Sequence, residues 1–240
     1  MDISILFEDE SFLAINKPVG VVVNRAESVK GETIQDWMEQ QYPIFVHQQG
    51  ETPEQSAFVD RSGVVHRIDK ETSGILLIAK TIISFIELQR QFKEHIIKKT
   101  YLAIVHGELV PKEGEVRAPV GRLPWNKERF GIGPGGKDSV TKYAVVKTIE
   151  KEGEKLTLVS LYPETGRTHQ IRVHMKYINH PLLGDYLYAG RKTSRDDREW
   201  APRVMLHAWK MVLQHPQTGK ELAIDAPIPD DMNSIIPFVG

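Results

Sequence analysis

An α+β fold with a mixed, largely antiparallel sheet is what this sequence predicts, and three observations predict it. Strand-like apolar runs outnumber helical stretches, and several follow one another with only a turn between them. The composition, 40% apolar and 26% charged over 240 residues, is that of an ordinary soluble domain able to bury its own core. Taken in order, 3–7 and 12–16 read as two strands of a hairpin, and 21–23 as a short strand resumed after Asn16-Lys17-Pro18-Val19-Gly20. A helix is expected over 33–42, then a surface loop rich in Gln, Pro and Glu over 43–60. GILLIA at 74–79 has the continuous apolar character of a buried strand. Ile82, Phe85, Leu88, Phe92 and Ile96 recur at helical spacing, so 81–97 reads as an amphipathic helix. Strands are expected at 101–105, 141–147, 156–162 and 204–213. Pro and Gly cluster over 111–136, which reads as an insertion into one sheet, so a single domain over 1–240 is expected.

Composition narrows the chemistry. With no cysteine, a disulfide framework, thiolate metal sites and cysteine nucleophiles are excluded. No stretch reaches the roughly 18 uninterrupted apolar residues of a membrane span. The acidic start MDISILFEDESF is no secretory signal, so a cytoplasmic location is expected. The net charge of -1 conceals an asymmetry. Residues 1–60 hold eleven acids against three bases, 61–105 eight bases against four acids, and 162–192 five bases against two acids. Phosphate contacts are local, so the near-neutral total does not exclude a nucleic-acid partner.

The two basic stretches carry the two unusual motifs. His66-Arg67-Ile68-Asp69-Lys70-Glu71-Thr72-Ser73-Gly74 is a charge-dense loop running straight into GILLIA, the position where a rigid scaffold presents reactive groups. Pro163-Glu164-Thr165-Gly166-Arg167-Thr168-His169-Gln170-Ile171-Arg172-Val173-His174 places a sharp turn at Gly166 and a helix cap at Thr168. The helix is expected to run to about Asn179, with Ile171, Met175 and Ile178 buried. His169, Arg172 and Lys176 would then form a basic stripe suited to phosphate.

HRIDKETSG resembles the catalytic-aspartate motif of the RluA family of RNA pseudouridine synthases. NKPVG at 16–20, KKTYLAIVHG at 98–107 and PETGRTHQIRVH at 163–174 with HPLLGD at 180–185 resemble further family motifs, in the family's order. The resemblance implies a catalytic domain on a bifurcated, mostly antiparallel sheet with a central cleft, and an isomerase that converts uridine in rRNA or tRNA to pseudouridine. It implies no redox, metal or nucleotide cofactor. Residue by residue, Asp69 matches the essential aspartate and Arg67 the arginine of the same loop. Tyr101 matches the tyrosine against the target base, and Arg172 the arginine that pairs with the aspartate. Lys17, His66, Thr72, Ser73, Lys99, Arg167, Thr168, His169, Gln170 and His174 are read as substrate-binding residues. A base inside folded RNA must be flipped out, at a cost of a few kcal/mol. Arg67 would help fill the vacated space, while Tyr101 offers a stacking face. Ile68 stands where the family has Leu, and Asn24 where a His often follows NKPxG. NKPVG begins only 16 residues in, so no amino-terminal S4-type RNA-binding domain is expected, and a monomer is.

Other signals are weaker. Gly131-Ile132-Gly133-Pro134-Gly135-Gly136-Lys137-Asp138 nearly spells a P-loop, but Asp138 replaces the Ser or Thr and no buried strand precedes it, so a hairpin loop is expected. Lys127, Arg129 and Lys137 would be its RNA contacts. His169, His174 and His180 lack metal-ligand spacing. Two alternatives to the isomerase stay open: an N-glycosidase cutting the same bond, and a non-catalytic RNA-binding assembly factor.

Overall fold

A computed structural model of the chain describes residues 1–42, 50–151 and 153–238. In chain order its elements begin with strands β1 (Ser4–Glu8) and β2 (Phe12–Lys17), helices α1 (Ile34–Gln41) and α2 (Pro53–Asp60), strand β3 (Ser73–Ala79) and helix α3 (Ile82–Lys93). Strands β4 (Lys98–His106), β5 (Glu113–Arg117), β6 (Val120–Leu123), β7 (Asn126–Ile132), β8 (Val140–Lys151) and β9 (Glu154–Pro163) follow. Helices α4 (Gln170–Tyr177) and α5 (Arg191–Asp197), strands β10 (Leu206–Gln214) and β11 (Glu221–Asp225) and helix α6 (Asp230–Ile235) complete the chain. The expected α+β class is borne out, and every ladder described below is antiparallel.

The contacts divide the chain into two compact units, each discontinuous in sequence. The first comprises Met1–Lys98 and Lys210–Pro227; the second comprises Lys99–Trp209 and Ile228–Gly240. In the first unit β2 lies between β1 and β3, in register from Phe12 opposite Ala79 to Lys17 opposite Gly74. The carboxy-terminal half of β10 pairs with β11. Both faces of β3 are covered, which is why GILLIA carries no polar alternation. Phe85 and Leu88 of α3 and Ile34 and Met38 of α1 supply the same core. Thr33 caps α1 through a capping box with Asp36, and Thr81 caps α3.

Two expectations fail in this unit. Residues 21–23 form no strand; the Val22 and Val23 carbonyls instead accept from the Ile34 and Gln35 amides, satisfying donors at the start of α1 that the helix itself cannot pair. The expected loop over 43–60 contains α2, nucleated by a Thr52–Gln55 capping box with Pro53 at the first helical position. Its first part, 43–49, lies outside the described residues.

In the second unit the order is β4, β9, β8, β5; β9 pairs with β4 in continuous register and with β8 in a register that shifts between Val145 and Lys147. The insertion over 111–136 supplies β5 to this sheet and forms a separate ribbon, β6 with β7. The glycine-rich segment after β7 is a loop, as expected, pinned by paired backbone bonds between Val120 and Lys137. Helix α4 packs Ile171 and Met175 against Ala103, Val105, Val159 and Leu161.

Candidate active site

The Asp69 loop is set by buried polar groups before it. Lys17, the last residue of β2, is fully buried, and its ammonium donates to the carbonyls of Pro18 (2.7 Å), Val21 (2.9 Å) and Lys70 (3.2 Å). A buried ammonium is tolerated only when its donors are paired, and these three carbonyls pair them. The bonds tie the NKPVG turn to the residue after Asp69, and the Gly20 amide adds a bond to the Lys70 carbonyl at 2.9 Å. The Thr72 amide closes the turn onto the Asp69 carbonyl at 3.1 Å. His66 accepts the Leu77 amide at its Nε2 (2.9 Å) and lays its ring on Phe92 with centroids 4.4 Å apart. Thr72 and Ser73 are buried, Asp69 is half-buried and Arg67 is exposed. The structure therefore gathers all six first-unit residues of the expected site around one loop. Lys17 and His66 brace that loop from behind, and Asp69 and Arg67 are on its accessible side.

In the second unit the turn over 163–169 is organised by Gln170. Its Oε1 accepts from the Thr165 hydroxyl (2.7 Å) and the Arg167 amide (3.0 Å). Its Nε2 donates to the Val140 carbonyl and to Thr141 Oγ1, both at 3.0 Å. Thr141 in turn lies 2.9 Å from His174 Nδ1, and His174 Nε2 lies 3.0 Å from the Ala118 carbonyl. The Ala118 carbonyl can only accept, so Nε2 carries the proton, and because burial disfavours the charged ring Nδ1 accepts from Thr141, which in turn takes the Gln170 amide. His174 is thus held as the neutral Nε2–H tautomer. Burial pushes its pKa below the ordinary value, against a smaller opposing effect of the Ala118 bond.

Arg172 is also internal, 4% exposed, and its Nε and Nη2 hold Asp185 at 2.7 and 2.9 Å. Asp185 is fully buried, and its Oδ1 accepts the amides of Leu187 (3.0 Å) and Tyr188 (3.2 Å) as well. The loop presenting it is fixed at Gly184, whose backbone is left-handed (φ +74°) and whose Cβ, if it had one, would stand 2.1 Å from the Arg203 carbonyl oxygen. Asp197 accepts the Gly184 amide at 2.9 Å and lies 3.1 Å from His106. Burial alone would lower the His106 pKa, but the bonds and charges of Asp197 and Glu154 outweigh it and raise it.

Tyr101 lies on β4 opposite Leu161, half-buried against the α4 core. Lys99 is half-buried two residues earlier, and a Cβ built on Gly166 would lie 3.9 Å from its Nζ. Desolvation lowers its pKa from 10.5 to about 8. Nearby, a cleft of about 380 Å³ is lined by Arg122, Phe130, Lys137, Arg167 and Thr168 together with backbone of Gly121, Gly135 and Gly166. Among the described residues three cations and no carboxylate line it, the composition a phosphate backbone needs. At the turn of the β6–β7 ribbon Trp125 stands 81% exposed, a flat apolar face in water.

Similarity to known proteins extends over nearly the whole chain. The family model described as RNA pseudouridylate synthase matches residues 11–177, which include the Asp69 loop, β4 and all of α4. The chain is 38% identical over 239 residues to ribosomal large subunit pseudouridine synthase D of Nitrosomonas europaea, covering 98% of this chain and 64% of that one. The chain belongs to the RNA pseudouridylate synthase family. It is also 36% identical over 236 residues to a Bacillus subtilis RNA pseudouridine synthase, YlyB, covering 98% of this chain and 72% of that one. Among solved structures, human RNA pseudouridylate synthase domain containing 1 superposes with a TM-score of 0.73 at 27% identity, over 94% of this chain and 83% of that one. The RluA-family resemblance of the sequence is borne out.

Within this pseudouridylate synthase chain several sequence expectations are corrected. Thr168 does not cap α4: the cap position is His169, in a left-handed backbone conformation (φ 56°), and Thr168 is exposed. Gly166 is absent from the left-handed region, so the turn does not depend on its conformational freedom. The His169–Arg172–Lys176 stripe is not a solvated phosphate surface. Arg172 points inward to Asp185, and His169 lies 2.9 Å from the Tyr188 hydroxyl, leaving Lys176 exposed. Gln170 and His174, expected at the substrate, are buried parts of the turn's internal network. The side chain of Lys127 lies outside the described residues. Asp185 and Tyr188 were missed, and their signal was a charged and an aromatic residue just after Gly184 in HPLLGD-YLY, placed beside the expected arginine only by the fold.

Proposed function

We propose that this chain isomerises uridine in RNA to pseudouridine, with Asp69 as the catalytic carboxylate and the two units acting as one catalytic domain. The observation that carries the reading is the Asp69 loop itself, bracketed by Lys17 from the NKPVG turn and seated at the head of a fully buried strand, within the stretch matched by the family model. The N1–C1′ bond of the uridine breaks, C1′ rejoins at C5, and the C5 proton leaves to solvent while N1 gains one. Atoms and electrons balance without an oxidant, reductant or cofactor. Asp69 attacks or assists at the separating base and sugar and later handles the C5 proton. Arg67, exposed beside it, occupies the space that the flipped base vacates. Tyr101 stacks on the base, and Arg172, oriented by Asp185, supplies the positive charge that keeps a carboxylate ionised in a closed site. Lys99 and the cleft of Arg122, Lys137 and Arg167 take RNA phosphates, and Trp125 offers a stacking face.

The relatives' descriptions as ribosomal large subunit enzymes support ribosomal RNA as the substrate and the cytoplasm as the place of action. Among the described residues no helix is long and apolar enough to cross a membrane. We take the active form to be a monomer. The test is RNA carrying C5-tritiated uridine: the chain releases tritium to water without free uracil, and Asp69→Asn abolishes release while retaining RNA binding. Free uracil would identify an N-glycosidase instead, and tight RNA binding with neither product an assembly factor.

A further inference from the structure

Tyr188 lies outside the stretch matched by the family model, yet it touches three parts of the second unit at once. Its ring is 9% exposed and packs with Val120 of β6 and Val173 of α4. The Arg172 guanidinium carbon stands 5.1 Å from the ring centroid, a cation–π distance. Its amide donates to Asp185 Oδ1, the same oxygen that receives Arg172 Nη2. Its hydroxyl accepts the Phe130 amide of β7 at 3.0 Å and lies 2.9 Å from His169 Nδ1. The hydroxyl oxygen thus accepts from the backbone while it pairs with Nδ1, the direction of that second bond following the His169 tautomer. Phe130 completes the circuit: its ring meets His169 edge-on at 5.4 Å, carries Arg122 at 5.3 Å, and lines the cationic cleft.

A two-stranded ribbon has little stability of its own and takes its position from what it packs on. Here the bond from Phe130 to the Tyr188 hydroxyl is a fixed polar joint between the ribbon and the residue that covers Arg172. We propose that Tyr188 is a positioning residue that transmits RNA binding in the β6–β7 cleft to the orientation of the Arg172 guanidinium. The inference rests on the proposed role of Arg172 in uridine isomerisation. A phosphate drawn into the cleft pulls Arg122 and the β7 backbone; Tyr188 moves with them, and its ring and amide carry the movement to Arg172 and Asp185. Chemistry then proceeds fully only on RNA that fills the cleft.

Tyr188→Phe keeps the ring and deletes the joint. Two measurements test it. The Arg172 Nε–H resonance is followed by NMR on adding a ten-nucleotide cytidine RNA, which can fill the cleft but offers no uridine. In the wild type the resonance moves; in Y188F it stays near its free position. Single-turnover tritium release at saturating enzyme is expected to fall about tenfold in Y188F, with RNA affinity within about twofold of wild type. An immobile wild-type resonance, equal movement in both proteins, equal single-turnover rates, or a loss of affinity that accounts for the whole effect overturns the proposal. Absence of tritium release from the wild type would instead overturn the isomerase reading, and the NMR comparison would still decide the coupling.

Discussion

Replacing Lys99 with methionine removes an ammonium from a half-buried position while keeping an unbranched chain of similar volume. Burial lowers the Lys99 pKa from 10.5 to about 8. At about 1.4 kcal/mol per pH unit, carrying that charge in the folded, RNA-free protein costs about 3 kcal/mol. The folded pKa lies below the unfolded one, so the cost is fully present below pH about 8 and disappears as pH rises from there through 10.5. Lys99→Met is therefore expected to raise stability by up to about 3 kcal/mol at pH 7, with the advantage shrinking toward zero by pH 10.5. Urea midpoints of the two proteins measured across pH 6.5 to 10.5 give the difference directly, and contributions from all other lysines cancel in it. The same substitution is expected to weaken RNA binding about tenfold at pH 7, since a phosphate would provide a counter-charge that none of the described residues is seen to supply. Stability gained and affinity lost in one variant is the signature of a charge kept for a ligand. A K99M protein less stable than wild type at pH 7, or one with unchanged RNA affinity, refutes the reasoning.

Two further predictions concern the same unit. Joint replacement of Arg122, Lys137 and Arg167 by alanine should reduce the steepness of log affinity against log salt by about 2, at roughly 0.7 per phosphate contact on single-stranded RNA. A filter-binding salt series with an unaltered slope would remove the cleft from the RNA path. His174 titrates below its ordinary 6.5 when folded, so the unfolded chain takes up its proton first and stability is lost as pH falls below 6.5. His174→Gln should flatten that acid limb of the urea-midpoint curve between pH 7 and 5, and parallel curves for the two proteins would rule out His174 as its source.

Much of the scaffold was legible because its elements carry their own signals. The apolar run of β3, the Thr81-capped stripe of α3 and the β1–β2 hairpin all follow from spacing and turn chemistry. What escaped was of two kinds. Helix α2 has a weak apolar face, yet its Thr52-Pro53-Glu54-Gln55 start is a capping box with proline at the first position, a signal present and overlooked. Strands β5 (EGEVR) and β7 (NKERFGI) and the short β11 (ELAID) are defined by their partner ladders; β5 buries only Val116. Conversely, the Val21–Val23 run looks like a strand, but its Val22 and Val23 carbonyls go to a helix start and that of Val21 to the Lys17 ammonium. Side-chain spacing cannot report where a backbone's hydrogen bonds go.

The site motifs show the same limit at the level of side chains. A polar residue next to an expected catalytic group can face substrate or face inward, and sequence alone does not separate the two. Lys17, Gln170 and His174 face inward, and each does so with its polar atoms matched: three carbonyls for the ammonium, two donors and two acceptors for the amide, one of each for the imidazole. Buried polar groups without partners cost about 1–3 kcal/mol each, so such sets are restrictive. Replacing any one strands the others. Motifs dense in polar residues around Asp69 and Arg172 therefore record two separate demands: a few groups proposed to meet RNA, and a larger number that fix where those few stand. Among the described residues Lys99 shows no such matched set of acceptors around its desolvated ammonium, and that contrast with Lys17 supports the proposal that it meets RNA.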